Sequence, residues 1–158
     1  MIKFITYDKY DENKTTPITS FSGKWSFLSN FSTSPVMYDK ELYPTVEHAF
    51  QAAKTLNLDE RQKIQKAKTP GAAKRLGRAV KMRDDWNKIK IGVMDELLRQ
   101  KFDRNKEDYF KLVHTRNREL IEGNTWGDTF WGQVNGKGSN NLGLLIMRIR
   151  NEAFWQAI

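Results

Sequence analysis

The spacing of hydrophobic positions predicts more helix than strand. Ile2-Lys3-Phe4-Ile5-Thr6-Tyr7 has strand character, and the polar run Asp8 to Thr19 reads as a turn or loop. Phe21 to Phe31 follows neither a period of 2 nor one of 3.6, which places Phe27-Leu28-Ser29-Asn30-Phe31 on a loop or strand end. Tyr38 to Tyr43 predicts a short hairpin turning at Asp39-Lys40. Thr45 then serves as N-cap of a helix to about Asn57, and Val46, Ala49, Phe50 and Ala53 make it apolar over most of its circumference, hence buried. Asp59 is read as the cap of a short basic helix through about Ala67. Thr69 and Pro70 open another helix, with Gly77 as its stop.

Asp84-Asp85 precede the longest helix, whose stripe of Trp86, Ile89, Val93 and Leu97, widened by Met94 and Leu98, packs by one face. A short helix is expected over Lys106 to Val113, a strand over Arg118 to Glu122, and a long ordered loop over Gly123 to Asn141. Asn141 to about Trp155 closes the chain as a core helix through Leu142, Leu145, Ile146, Ile149 and Ala153. The pattern has no internal repeat or low-complexity linker, and it commits to one α+β domain over residues 1 to 158, mostly helical with a small sheet.

A chain of 158 residues buries enough surface for a core and a pocket. With no cysteine, disulfides and thiolate metal sites are excluded, and two histidines argue against a His-rich centre, while a metal held by carboxylates stays open. No run approaches a membrane span, and Met1 to Asp8 lacks a secretory pattern, so a cytoplasmic protein without a membrane partner is expected. Of the net charge of +8, residues 60 to 106 supply a surplus of +9, with 15 Lys/Arg against 6 Asp/Glu. That segment either steers phosphate-bearing substrates or a nucleic-acid backbone, or forms solvated helix faces.

Glu47, Gln51 and Lys54 fall at i, i+4 and i+7 on one face of the buried helix, and buried ionisable groups are costly unless paired or used. Glu122 and Asp128 join them as candidates, near the rings of Trp126, Phe130 and Trp131. Each has a structural alternative: Glu47 complementing the helix dipole, Lys54 snorkelling, Glu122 in a salt bridge, Asp128 capping a turn. Trp86 serves either the core or as a stacking platform. Backbone amides of Gly136 to Gly143, leading into the last helix, would suit a phosphate or another anion. His48 and His114 are isolated, and no nucleophile triad is visible.

Trp25-Ser26-Phe27-Leu28-Ser29-Asn30-Phe31, Tyr43 to Lys54, Asp85-Trp86, Lys101-Phe102, Leu120-Ile121-Glu122, Asp128-Thr129-Phe130-Trp131-Gly132 and Asn141-Leu142-Gly143 follow one pattern in order. Over about Phe21 to Arg150 the chain resembles the NADAR (YbiA-like) family. The resemblance implies an N-glycosidase, independent of metal or cofactor, that breaks the bond between ribose C1′ and a nitrogen. Its substrate would be a small phosphorylated ribosyl base, such as the ribosylamino-pyrimidinone phosphates of riboflavin biosynthesis, or ADP-ribose attached to guanine in nucleic acid. A non-catalytic module that binds nucleic acid or ADP-ribose is the competing expectation. On the catalytic reading Glu47, Asp128 and Lys54 act on C1′, Lys54 as a Schiff-base amine. Phe27, Ser29 and Asn30 line the pocket, Trp86 and Trp131 wall the base, and Glu122, Asn141 and Gly143 bind substrate. The chain departs from the pattern at His114-Thr115-Arg116, where members often carry Thr-Gly, and at Gln133, where an aliphatic residue is common.

Overall fold

A computed structural model describes residues 15 to 156, with side chains described through residue 152. The strand expected at residues 2 to 7 and most of the loop from 8 to 19 lie outside the described residues. A 3-10 helix, Gly23–Leu28, leads to a two-stranded antiparallel hairpin, β1 (Val36–Tyr38) and β2 (Glu41–Tyr43), paired Val36 to Tyr43 and Tyr38 to Glu41. Asp39 and Lys40 turn it with φ of 49° and 68°, both left-handed, matching the twist of the strands. Six helices follow: α1 (Val46–Ala53), α2 (Leu58–Gln65), α3 (Pro70–Gly77), α4 (Trp86–Arg104), α5 (Lys106–His114) and α6 (Asn141–Gln156). The architecture is the expected mostly helical α+β fold.

Helix α1 sits at the centre, packed by α2, α3, α4 and the hairpin, and all eight of its residues are buried. Thr45 caps it, its hydroxyl oxygen accepting the His48 N–H. The His48 ring explains its own burial: Nε2 donates to the Ala67 carbonyl at 3.0 Å, which leaves Nδ1 to accept from the Thr45 hydroxyl at 2.8 Å. The helix stops at Lys54 rather than near Asn57, because the Thr55 hydroxyl turns to Glu60 and accepts the Asn57 amide. Asn57, not Asp59, then caps α2, its Oδ1 accepting the amides of Asp59 and Glu60. Thr69 caps α3 with Pro70 in its first turn, as expected. Along α4, Trp86, Val93, Met94, Leu97, Leu98 and Phe102 are buried, and Lys101 joins them on the same stripe.

The strand expected over Arg118 to Glu122 reduces to a single parallel bridge between Ile18 and Leu120. Beyond it the loop to Asn140 is ordered by its own backbone, with Gln133 N donating to Glu122 O and Asn124 N to Gln133 O, both at 2.9 Å. After α5 the chain reverses through Arg116 at φ 51°, a left-handed conformation that costs an L residue about 1 kcal/mol. Arg116 is exposed. Arg116→Gly is therefore expected to stabilise the fold by about 0.5 kcal/mol after the entropy of glycine is charged, read as a higher urea midpoint at unchanged slope. An unchanged or lower midpoint would contradict this account of the turn.

Candidate active site

One face of α1 and the loop after Leu120 enclose a cavity of about 380 Å³, within the range of small-molecule sites. Glu47, Gln51 and Lys54 all line it, because i, i+4 and i+7 stack along the helix. Glu47 enters from the first turn, where its own N–H donates to the Asn30 carbonyl at 3.1 Å. The residue is 6 % exposed, and its carboxylate accepts a 2.7 Å bond from Gln51 Nε2. Lys54 is the last residue of the row, with its ammonium 6.0 Å from the centre of the Phe50 ring.

The opposite wall comes from the loop. Asp128 Oδ1 accepts from the amides of Phe130 and Trp131, at 3.1 and 2.8 Å, so this carboxylate does cap a turn while its residue lines the cavity. Asn124 clamps the same turn, its Oδ1 accepting Asp128 N–H and its Nδ2 donating to Asp128 O. Trp131 is thereby held edge-on against Phe50, ring centres 5.3 Å apart. Glu122 lines the cavity too, and its amide is fixed on Asn140 Oδ1 at 3.0 Å.

The third wall is the turn carrying Ser29 and Asn30. Lys101 anchors it from α4: the ammonium, with no exposed surface, donates to Ser29 O at 2.8 Å and Ser32 Oγ at 2.7 Å. Asn30 Nδ2 reaches Met94 Sδ, while its Oδ1 is buried without a partner among the described residues. Glu122 Oε2 is in the same condition. Cavity-lining residues thus hold unsatisfied buried acceptors, which a protein keeps only at a cost.

Four expected substrate contacts lie behind or beside this wall instead. Phe27 is buried and packs on Trp25, under Lys111. Trp86 is 5 % exposed and backs Phe50, ring centres 5.0 Å apart, so it supports the wall without forming it. Asn141 spends Nδ2 on the Phe130 carbonyl. Gly143 is where α6 presses on the chain, for a Cβ there would overlap Leu120 O and Asn140. The anion cradle expected over Gly136 to Gly143 is also corrected, because Ser139, Asn140, Asn141 and Leu142 give their amides to Thr129, Gly132, Phe130 and Trp131 carbonyls. What local reading missed is Lys74 of α3, which lines the cavity with its ammonium over the rings of Phe31 and Trp126, at 5.9 and 5.3 Å. Its signal was only its place in the basic segment.

These charges perturb one another in a site where several of them are buried. Burial pushes the Glu47 carboxyl above its ordinary range, opposed by the Gln51 hydrogen bond and the charges of Lys74 and Lys54, with Asp128 adding to the rise. Burial lowers Lys54, opposed by Glu47 and reinforced by Lys74 and Arg78. Lys101 is pushed down to about 7 by burial, against Asp108 and Glu122. Glu122 is pushed up to about 7, by burial and then by Asp128. Between 4.5 and about 7 the folded chain keeps a proton on Glu122 that the unfolded chain has lost, so this group's contribution to stability falls as pH rises through that window. Glu122→Gln is expected to match the parent chain near pH 4.5 and to exceed it by on the order of 2 kcal/mol at pH 8, measured by urea unfolding. An equal difference at both pH values would contradict the assignment.

Among the described residues no group of His, Cys, Asp and Glu is arranged to hold a metal ion, and no helix is long and apolar enough to cross a membrane. The chain is 38 % identical over 136 residues to the N-glycosidase YbiA of Shigella flexneri serotype 5b, covering 84 % of each. It is 33 % identical over 129 residues to a riboflavin biosynthesis protein of Vibrio vulnificus, covering 80 % of this chain and 35 % of that one. The fold is similar to the solution structure of Escherichia coli YbiA, with a TM-score of 0.80, 34 % identity, and coverage of 94 % of this chain and 90 % of that one. The NADAR domain model matches residues 7–153, and the chain therefore belongs to the NADAR family.

Proposed function

We propose that the chain is an N-glycosidase that hydrolyses the bond between ribose C1′ and the nitrogen of a small phosphorylated ribosyl base, with the ribosylamino-pyrimidinone phosphates of riboflavin biosynthesis as the substrate class. The observation that carries the reading is the convergence of Glu47, Glu122 and Asp128 with the depressed amine of Lys54 in one cavity of about 380 Å³. Cleavage at C1′ needs negative charge beside a cationic carbon, a proton for the departing nitrogen and a group to take the carbon. Glu47 supplies the charge. Glu122, poised at about 7, carries a proton for the base in part of the population at neutral pH.

Lys54 attacks C1′ with its free amine. The C1′ to base-nitrogen bond breaks as Glu122 protonates the base. The ring oxygen then leaves C1′, taking a proton from the amine, and an imine joins Lys54 to the opened sugar. Water adds across the protonated imine, the proton it releases returns to Glu122, and collapse of the carbinolamine frees the lysine amine and ribose phosphate. Unsatisfied acceptors at Asn30 Oδ1 and Glu122 Oε2 face the need of an amino-pyrimidine, whose edge is rich in N–H donors. Lys74 suits the phosphate by charge.

The basic segment argues less for polynucleotide binding, because Arg61, Arg83 and Arg99 are spent on Asp39, Asp85 and the Asp95 and Glu152 pair, and Lys101 is buried. The names of the relatives also point to a small molecule. Incubation with a ribosylamino-pyrimidinone 5′-phosphate is expected to release the free pyrimidinone and ribose 5-phosphate in equal amounts. A substrate recovered intact at high enzyme concentration would overturn the reading.

A further inference from the structure

Gly77 is the last residue of α3, and its sequence position suggests a helix stop. Its backbone does not use glycine's freedom: its φ is not among the positive ones, and Arg78 after it is still right-handed. The residue is buried, and the reason lies across the interface with α1. A Cβ on Gly77 would overlap the Gln51 amide oxygen and stand 2.7 Å from Gln51 Cδ and 2.8 Å from Gln51 Cβ. The side chain of Gln51 is thus laid flat on the α3 backbone at a point only glycine permits.

Gln51 has one amide group donating to Glu47 Oε1 at 2.7 Å, and its Oε1, turned toward Gly77, has no hydrogen-bond partner among the described residues. The one hydrogen bond that the buried carboxamide makes among the described residues is the one it gives to Glu47. The contact with α3 selects the rotamer, and the rotamer orients the carboxylate.

We propose that Gly77 is a positioning residue of the cavity: by admitting the Gln51 carboxamide against α3, it holds the donor that fixes and charges Glu47. This deepens the N-glycosidase reading and rests on it only where activity is the readout. Gly77 does not itself line the cavity, so a bulkier residue there acts through Gln51, which does, by moving its amide away from Glu47.

The test is a double-mutant cycle of Gly77→Ala, Gln51→Ala and both together, read in two ways. The first is the titration of the Glu47 carboxyl carbon by NMR in the full chain. Gln51's hydrogen bond lowers that pKa, so Gly77→Ala and Gln51→Ala are each expected to raise it, and the pair to raise it no further than Gln51→Ala alone. The second is cleavage of the pyrimidinone phosphate, where kcat is expected to fall at least tenfold in Gly77→Ala with KM little changed, and the acid limb of the profile to move to higher pH. A helix glycine replaced by alanine ordinarily stabilises, so a Gly77→Ala chain with native circular dichroism, an unmoved Glu47 titration and unchanged kcat would overturn the proposal. Losses that add in the double variant would also overturn it. An inactive parent chain with the expected NMR shifts would refute the substrate reading and leave the role of Gly77 standing. Should Gly77→Ala not fold alone, the Gly77→Ala/Gln51→Ala chain, which removes the overlapped carboxamide, is expected to fold and to titrate at Glu47 as Gln51→Ala does; failure of this double variant to fold would overturn the proposal.

Discussion

Glu47→Gln is expected to cut turnover by roughly 100-fold or more while leaving the fold at least as stable, because it removes charge and keeps shape. Glu47 is 6 % exposed inside α1, whose residues are all buried, and a carboxylate there is held at a cost that the neutral amide avoids. Burial raises the Glu47 pKa, so this group's contribution to stability is fully present below the ordinary carboxyl value and is lost as pH rises through the raised folded value. Near neutral pH the amide should therefore match or exceed the parent in urea midpoint. Gln51 Nε2 keeps an oxygen to donate to. What is lost is the negative charge beside C1′, and with it the term that makes a cationic transition state accessible. Undiminished turnover in Glu47→Gln would remove Glu47 from the chemistry.

Lys54→Met should abolish measurable turnover and also a covalent trace. Burial lowers the pKa of the amine against the opposing charge of Glu47, and Lys74 and Arg78 push in the same direction as burial. Reduction with borohydride during turnover is expected to fix the opened sugar on Lys54 of the parent chain, seen as a mass increment on the peptide containing Phe50 to Lys54. Methionine keeps the length and apolar packing against Phe50 but has no nitrogen to bond. Normal turnover in Lys54→Met, or an adduct on another residue, would contradict the imine route. Turnover lost without any adduct in the parent would leave Lys54 as a charge and make water the nucleophile.

The row from Glu47 to Lys54 was legible because helical spacing is local: once Thr45 caps α1, positions 47, 51 and 54 must share a face. The Asp39-Lys40 turn and the Thr69-Pro70 start were readable for the same reason. The cap of α2 was misplaced by two residues because Asn57 and Asp59 are both good N-caps, and only Thr55 turning to Glu60 decides between them. Lys74 was out of reach, since its place at the cavity depends on how α3 packs on α1. Gly77 looked like a stop for the same reason, its partner Gln51 being in another helix. The amides after Gly136 looked free because their acceptors, from Thr129 to Gly132, are set by a loop folded on itself. Trp86 lies on the apolar stripe of α4, and that stripe, more than the resemblance, indicated where its ring would go.

The measurement that bears most directly on the central claim is mass spectrometry of products from two substrates offered in parallel to the parent chain and to Glu47→Gln. One is a ribosylamino-pyrimidinone 5′-phosphate and the other an oligonucleotide bearing ADP-ribosylated guanine. Ribose 5-phosphate and free pyrimidinone from the first, strongly reduced in the variant, is the result expected of C1′–N cleavage in this cavity. Release of ADP-ribose from the oligonucleotide alone, or equal product from parent and variant, would contradict it.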